Sequence, residues 1–222
     1  MLVLSALFLS MAFAQEQKQM VPIPIELPVQ TFRFEVWDGG VPENFEPPDY
    51  YRDRPPFLAP AGTKNVAFGK SVSSSAPPVH GELKQITDGD KKYCEHASVV
   101  EIPKGVQWVQ IDLEYEYQIY AVLFWHFRDN FVYYWDIVVQ ISNSQDFKEG
   151  VADVYNNDLD NTLGFGVGKD ATYEEDYKGR LVDAKGVSGR YVRLYSNGNI
   201  NDGFNHYVEV QVYGLPTDNS KL

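Results

Sequence analysis

Two segments of the sequence concentrate side chains of the types that bind sugars. One, residues 128–135, is rich in aromatics, and the other, residues 197–206, is rich in amides. Sugars are recognised by aromatic rings, which stack on C–H faces, and by planar polar groups such as guanidinium and amide. The candidate ligand-binding residues are therefore Arg128, Asp129, Asn130, Tyr133, Tyr134, Asn199, Asn201, Phe204, Asn205 and His206, together with His96 from another polar loop. An equally open interpretation of Tyr133 and Tyr134 places their rings in the core.

The sequence offers no motif for catalysis or for zinc. It has no G-x-S-x-G elbow, and its four histidines do not follow an H-x-x-x-H spacing. The glycine-rich residues 163–170 have Leu163 and Asp170 where a phosphate-binding Walker loop needs Gly and Ser or Thr, so we interpret them as a loop. We predict that the protein is not an enzyme. His126 continues an apolar run and is expected to be packed or hydrogen-bonded.

Apolar and polar residues alternate in several short segments, which is typical of β-strands. In the last segment Val208, Val210 and Val212 share one face, and Glu209 lies on the other. Asp-Gly and Asn-Gly pairs supply turns between segments. The predicted strands are residues 106–113, 119–127, 135–141, 190–195 and 207–213. This pattern predicts an all-β fold, and the short strands with longer loops favour a β-sandwich.

The N-terminal residues predict export. Residues 2–13 are apolar apart from two serines, and Ala12-Phe13-Ala14 matches a signal-peptide cleavage site, although no Lys or Arg precedes the run. A short N-terminal core helix is the alternative. The expected divisions are a signal peptide at 1–14, a Pro-rich arm at 15–64 with a possible strand at 31–37, a sandwich at 65–216 and a tail at 217–222. We expect no membrane span and a periplasmic or extracellular location.

Charge and cysteine content narrow the choice of partners. The formal net charge is −12, which disfavours nucleic acid and anionic membranes, because both repel an acidic chain. Cys94 is the single cysteine, so an intrachain disulfide is excluded, and we expect it to be buried or half-buried. Clustered carboxylates are instead suited to a hard cation such as calcium.

The order of seven short fragments resembles the discoidin family, also called the coagulation factor 5/8 type C domain family. The resemblance covers about residues 65–216. The matching fragments are N-V-A-F-G-K-S-V-S-S-S from Asn65, I-T-D-G-D from Ile86, W-V-Q-I-D-L from Trp108, I-Y-A-V from Ile119, W-D-I-V-V-Q-I-S from Trp135, R-Y-V-R-L from Arg190 and V-E-V-Q-V-Y-G from Val208. Residues 156–185 look like an insertion relative to this pattern.

The resemblance implies a galactose-binding-like jelly roll, similar to family 32-type carbohydrate-binding modules. In its sugar-binding branches a structural calcium lies under the D-G-x loop and is closed by the Glu of the last strand. The positions that match are Asp88, Glu209, the carbonyls of Gln85 and Asp90, and more loosely Ser98. A solvated Asp-Gly turn remains the alternative. His96 and Arg128 resemble part of the fucose-binding group, but Arg128-Asp129 lacks its intervening residue, so fucose specificity is not predicted.

The function predicted from the sequence is non-catalytic recognition of a glycan or glycoconjugate outside the cytoplasm, with a structural calcium. One alternative is a protein–protein module in which the Pro-rich arm docks to a partner and the sandwich serves as scaffold. A further alternative is an accessory subunit of an exported complex.

Overall fold

The computed structural model describes residues 19–30, 39–47, 49 and 52–217, and within them the regular structure is β-strand and short 3₁₀-helix. The 3₁₀-helices are Leu83–Thr87 and His96–Ser98. The strands are β1 (Met20–Pro22), β2 (Phe45–Glu46), β3 (Leu58–Pro60), β4 (Lys64–Asn65), β5 (Ser71–Ser74), β6 (Val100–Ile102), β7 (Gln107–His126), β8 (Val138–Ser142), β9 (Ala152–Asn156), β10 (Thr172–Tyr173), β11 (Arg180–Ser196) and β12 (Asn205–Pro216). The all-β prediction is confirmed.

Two long strands, β7 and β11, run through both halves of a β-sandwich. The first half of β7 pairs with β5 and with the second half of β11, whereas the second half of β7 pairs with β12 and with the first half of β11. The main path of strands is β4-β12-β7-β11-β8-β9. Glu114 in β7 has φ 68°, and it lies in the stretch of β7 where pairing with β11 is interrupted. This left-handed residue belongs to the bend that lets one strand serve both halves.

The main core lies between the two halves of the sandwich. Ile111 and Leu113 from the first half of β7 pack in one cluster with Val122 and Phe124 from its second half. A second cluster covers the opposite face of β7 and β12, where Leu123 and Trp125 contact residues of the N-terminal segment, Ile23 and Ala59. Strands β7 and β12 are therefore buried on both faces, because the N-terminal segment packs over their outer face.

Several sequence boundaries need correction. The segments predicted at 106–113 and 119–127 form one continuous strand, β7. Strand β11 begins at Arg180, ten residues before the predicted start, so the last residues of the supposed insertion belong to the sheet. The predicted signal peptide and the possible strand at 31–37 lie outside the described residues. In the part of the chain that the structure describes, no helix has the length and apolar character needed to span a membrane.

Candidate functional site

The amide-rich loop between β11 and β12 is built by its own asparagines. The Asn199 side chain accepts the backbone N–H of Asn201 at 2.8 Å and donates to the Phe204 carbonyl at 2.7 Å. The Asn205 amide donates to the carbonyls of Pro103 and Gly105, and its oxygen accepts the Gly198 N–H at 2.7 Å. These buried side chains fix the loop and hold it against the start of β7.

The aromatic segment after β7 lies directly beside this loop. Tyr134 and Asn199 form an isolated antiparallel bridge, and the backbone N–H of Trp135 donates to Gly198 O at 2.9 Å. The Asn201 side chain donates to the Phe131 carbonyl at 3.2 Å. The two segments that the sequence singled out are thus neighbours at one end of the sandwich, as a shared binding site requires.

Five rings form a continuous row at this end, which we call the ring row: His80, His96, Phe127, His206 and Phe204. The centroids of His80 and His96 are 4.2 Å apart, and His96 meets Phe127 edge-on at 6.2 Å. Phe127 lies 5.8 Å from His206, which stacks on Phe204 at 6.3 Å. Along this row His96 is exposed, whereas His80, Phe127 and Phe204 are half-buried. The row therefore offers both ring surface and imidazole nitrogen to solvent.

Pairing between strands explains how distant residues reach the row. His206 in β12 lies opposite Glu101 in β6, and Glu101 in turn forms a backbone bridge with His80. His96 begins the 3₁₀-helix that precedes β6. Three chain segments thus bring their polar side chains to one edge, in the manner of cross-strand neighbours on a sheet face.

His206 is held by hydrogen bonds at the centre of the row. Its Nε2 lies 3.0 Å from a carboxylate oxygen of Glu101, and its Nδ1 lies 3.1 Å from the Tyr134 hydroxyl. Burial lowers the pKa of His206, and this effect outweighs the opposite influence of Asp202 and Glu101. With its proton on Nε2, the ring donates to Glu101 and Nδ1 accepts. The Tyr134 hydroxyl donates to the Phe127 carbonyl, so the donor within reach of Nδ1 is the Asn199 amide at 3.5 Å. Both ring nitrogens face protein partners, and His206 acts as a positioning residue.

Arg128 was predicted to bind the ligand, and the structure shows most clearly for this residue that the prediction was wrong. Its side chain is 2% exposed, and it forms an ion pair with buried Glu174 at 2.6 Å and donates to the Glu175 carbonyl. The guanidinium points into the protein because an acidic pair on the segment after β10 neutralises it there. Arg128 is therefore a structural residue and not a sugar contact.

Other predicted contacts are also internal. Tyr134 stacks on His126 at 4.2 Å and donates to the Phe127 carbonyl, and Tyr133 packs edge-on against Phe45 at 5.8 Å. The predicted residues that are buried are Arg128, Tyr133, Tyr134, Asn199, Asn205 and His206. Those with accessible side chains are His96, Asp129, Asn130, Asn201 and Phe204. His126 is buried against Glu175 at 2.6 Å, as expected for a hydrogen-bonded core histidine.

The sequence reasoning missed His80, Glu101 and Phe127. Glu101 stands between Val100 and Ile102, which are both fully buried, so the alternation around it marked a polar residue on the outer face of a short strand. His80 carried no local signal, because its position follows from the bridge to Glu101. Phe127 was treated as the end of an apolar strand.

Glu209 lies next to the D-G-x turn, as the predicted calcium site requires. Glu209 is fully buried, and one of its carboxylate oxygens accepts the Gly89 N–H at 3.1 Å. Burial, with a further contribution from the charge of Asp88, raises the pKa of Glu209 to about 8. Position on the face of β12 opposite Val210 and Val212 does not leave Glu209 exposed, because the N-terminal segment covers that face.

The remaining predicted calcium ligands surround this turn with different hydrogen bonds. The Asp88 carboxylate accepts the Asp90 N–H at 2.8 Å, and Ser98 donates to the Asp90 carboxylate at 3.0 Å. The Gln85 side chain links the two 3₁₀-helices, because its amide donates to Ala97 O at 3.0 Å. A buried carboxylate with weak hydrogen bonding, next to a second carboxylate and a turn of carbonyls, suits a hard cation.

Within the described residues, the acidic side chains that do cluster within 4.8 Å of one another are Asp136, Asp158 and Asp160. Their oxygens are already occupied by local donors: Asp158 accepts the backbone N–H groups of Thr162 and Leu163, and Asp136 accepts from Asn197. This cluster organises the loop after β9.

Comparison with known proteins supports the fold. The sequence matches no family model and no curated protein. A family 89 glycoside hydrolase from Clostridium perfringens, solved with GlcNAc-alpha-1,4-galactose, aligns with a TM-score of 0.51 and 16% identity over 69% of this chain. This chain spans 15% of the length of that hydrolase. A fucose binding module from Streptococcus pneumoniae aligns with a TM-score of 0.48 and 16% identity over 69% of this chain and 96% of that one. The chain has the galactose-binding-like β-sandwich fold.

Proposed function

We propose that the protein is a non-catalytic carbohydrate-binding module whose site is the ring row. The observation that carries this proposal is the row itself: imidazole and phenyl rings in mutual contact, partly exposed, at the end of a rigid sandwich. Asn201 and Asp202 are exposed on the same loop and supply hydrogen-bonding groups at its rim. Rings with flanking polar groups on loops of a fixed scaffold match what sugar recognition requires.

The proposal also includes a structural calcium beneath the D-G-x turn. Asp88 and Glu209 would supply carboxylates, and the carbonyls of Gln85 and Asp90 would complete the set. Ser98 would position the Asp90 side chain through its hydrogen bond. The cation would compensate the buried Glu209 carboxylate, which supports the assignment because an unpaired buried charge is costly. An extracytoplasmic location remains part of the proposal on sequence grounds alone.

The alternative of a partner-binding arm is less well supported. The described parts of the Pro-rich segment pack on the rest of the chain, since Ile23 and Ala59 share a core cluster with Trp125 of β7, and β2 pairs with β10. Phe45 in β2 also contacts Phe131 and Tyr133. These contacts favour a structural role for the described arm.

A glycan array probed with and without calcium tests the proposed function. We expect selective binding to one family of glycans, and we expect chelation to weaken it through loss of the fold around the turn. His96→Ala should remove the array signal, whereas Tyr115→Ala, which deletes an exposed ring of another segment, should retain it. An array with no bound glycan for the folded wild type would contradict the proposal.

A further inference from the structure

A separate cavity of about 410 Å³ lies between the N-terminal segment and the turn that joins β10 to β11. Pro55, Pro56 and Phe57 contribute to one side, and Tyr173 and Gly179 to the other. Its volume falls in the range of small-molecule sites. The ring row contributes none of its residues to the lining of this cavity.

Two arginines of the cavity have buried N–H groups that find no acceptor among the described residues. Arg54 donates from one guanidinium nitrogen to Gly179 O, but its Nη1 is buried without a hydrogen-bond partner. Arg180 donates from Nη1 to Glu46 at 2.7 Å, but its Nε is likewise buried and unpartnered. The Arg180 guanidinium lies 4.7 Å from the Tyr173 ring centroid. Burial lowers the pKa of Arg54 and outweighs the opposite influence of the Asp176 carboxylate, and proximity to Arg180 lowers it further.

The acidic side chains of the lining leave these donors unsatisfied. Glu46 is engaged by Arg180, and Glu174 is engaged by Arg128. Asp49 is paired with exposed Arg52. Of the two lining carboxylates outside ion pairs, Asp53 and Asp176, the latter accepts the backbone N–H of Lys178 at 2.7 Å. Among the described residues, Arg54 has no ion-pair partner.

Lys178 adds a third cation that carbonyl groups hold in place. Its ammonium donates to the backbone carbonyls of Asp49 at 2.6 Å and Arg52 at 2.9 Å, and the residue is 8% exposed. It too has no ion-pair partner within the described chain. The lining therefore combines the basic side chains Arg52, Arg54, Lys178 and Arg180 with the acidic side chains Glu46, Asp49, Asp53, Glu174 and Asp176.

We propose that this cavity binds the carboxylate of an acidic sugar, a uronic acid residue. The guanidinium group matches carboxylate geometry with two parallel N–H bonds, and buried donors without acceptors are costly unless a ligand supplies oxygen atoms. The ring of Tyr173 and the adjacent prolines provide apolar surface for the sugar ring. The choice of a sugar over another carboxylate rests on the proposed glycan-binding function. Glu174, which lines the cavity, is paired with Arg128 next to the ring row.

Calorimetric titration of the full chain with methyl glucuronide and methyl glucoside tests the inference. The two probes differ only in the carboxylate. We expect the glucuronide to bind at least about tenfold more tightly, the factor that one or two charge-assisted hydrogen bonds produce. Arg54→Gln should abolish this preference while keeping an amide donor, and Arg54→Lys should retain part of it. The matched control Arg190→Gln removes a guanidinium outside the cavity, on β11, where Arg190 pairs with Asp112, and should leave the preference intact.

Phe204→Ala separates this site from the ring row. If the inference is right, glucuronide binding is unchanged by this substitution, even though binding of the glycan found on the array is weakened. Equal affinity for glucuronide and glucoside in the wild type would overturn the inference. So would equal losses in the Arg54→Gln and Arg190→Gln variants, or loss of glucuronide binding with Phe204→Ala. Tighter binding of N-acetylglutamate than of glucuronide would overturn the sugar assignment in favour of a peptide carboxylate.

Discussion

At the scale of single residues, Arg128 joins the end of β7 to the segment after β10. Its ion pair with Glu174 is buried on both sides, so removing one partner leaves an uncompensated charge. We predict that Arg128→Ala lowers the free energy of unfolding by about 3–5 kcal/mol, as measured by denaturant titration. A surface arginine would cost no more than about 0.5 kcal/mol, and that result would return Arg128 to the list of exposed contacts.

Glu209 gives the stability a specific dependence on pH. Its pKa is raised from the ordinary value of 4.5 to about 8, so the folded protein holds this proton more tightly than the unfolded chain does. The resulting stabilisation is complete below about pH 4.5 and is lost as the pH rises toward 8. Without calcium, the melting temperature should therefore fall across this window. Calcium should raise the melting temperature again at pH 8. At a hundredfold excess over Kd, its binding adds about 2.7 kcal/mol to the free energy of unfolding.

Glu209→Gln is the control for this behaviour, because the amide has nearly the same shape and does not titrate. The variant should lose both the calcium response and the part of the pH dependence that belongs to Glu209. Melting curves measured at several pH values with chelator and with calcium check both effects. If wild type and variant respond identically to pH and to calcium, Glu209 has no raised pKa and binds no calcium.

At the scale of elements, the loop between β11 and β12 depends on Gly198. Its φ is 80°, and a Cβ at this position would lie 2.3 Å from the Gly203 carbonyl oxygen. Gly198→Ala should destabilise the protein by more than about 1 kcal/mol and weaken glycan binding, because the loop carries Phe204. Gly203→Ala is a matched control, since its φ is 78° but its nearest contact is the flexible Lys104 side chain at 3.6 Å. Equal losses in both variants would show that strain at positive φ, and not the contact with Gly203, determines the effect.

The strands themselves show what local pattern can predict. The strand character of β12 and the apolar run in β7 were visible in the sequence. The prediction that Val208 shares a face with Val210 and Val212 was wrong, because the register of β12 shifts between Tyr207 and Glu209 and Val208 packs in the second core cluster. The union of two predicted segments into β7 was not visible. It depends on pairing with β11, whose partners lie far along the chain. The early start of β11 at Arg180 was missed for the same reason.

At the scale of the whole molecule, the sequence predicted that the two polar loops are neighbours but not which of their side chains are accessible. The neighbouring loops followed from two polar segments after buried strands. The burial of Arg128 depends on Glu174, and the place of His80 depends on the bridge to Glu101, so neither could be read from local sequence. Likewise, Glu209 is buried because the N-terminal segment, through Ile23 and Ala59, covers the outer face of the sheet. Long-range contacts of this kind give a residue a role that its local sequence does not predict.

The central claim, that the ring row binds a glycan, is tested most directly by calorimetric titration with the best-bound array glycan. His96 is exposed, so His96→Ala should leave the melting temperature almost unchanged while weakening binding, and Phe204→Ala should weaken it about three- to tenfold through lost ring contact. Tyr115→Ala should bind as the wild type does. If His96→Ala and Phe204→Ala both retain wild-type affinity in folded protein, the glycan binds elsewhere and the ring row is not its site.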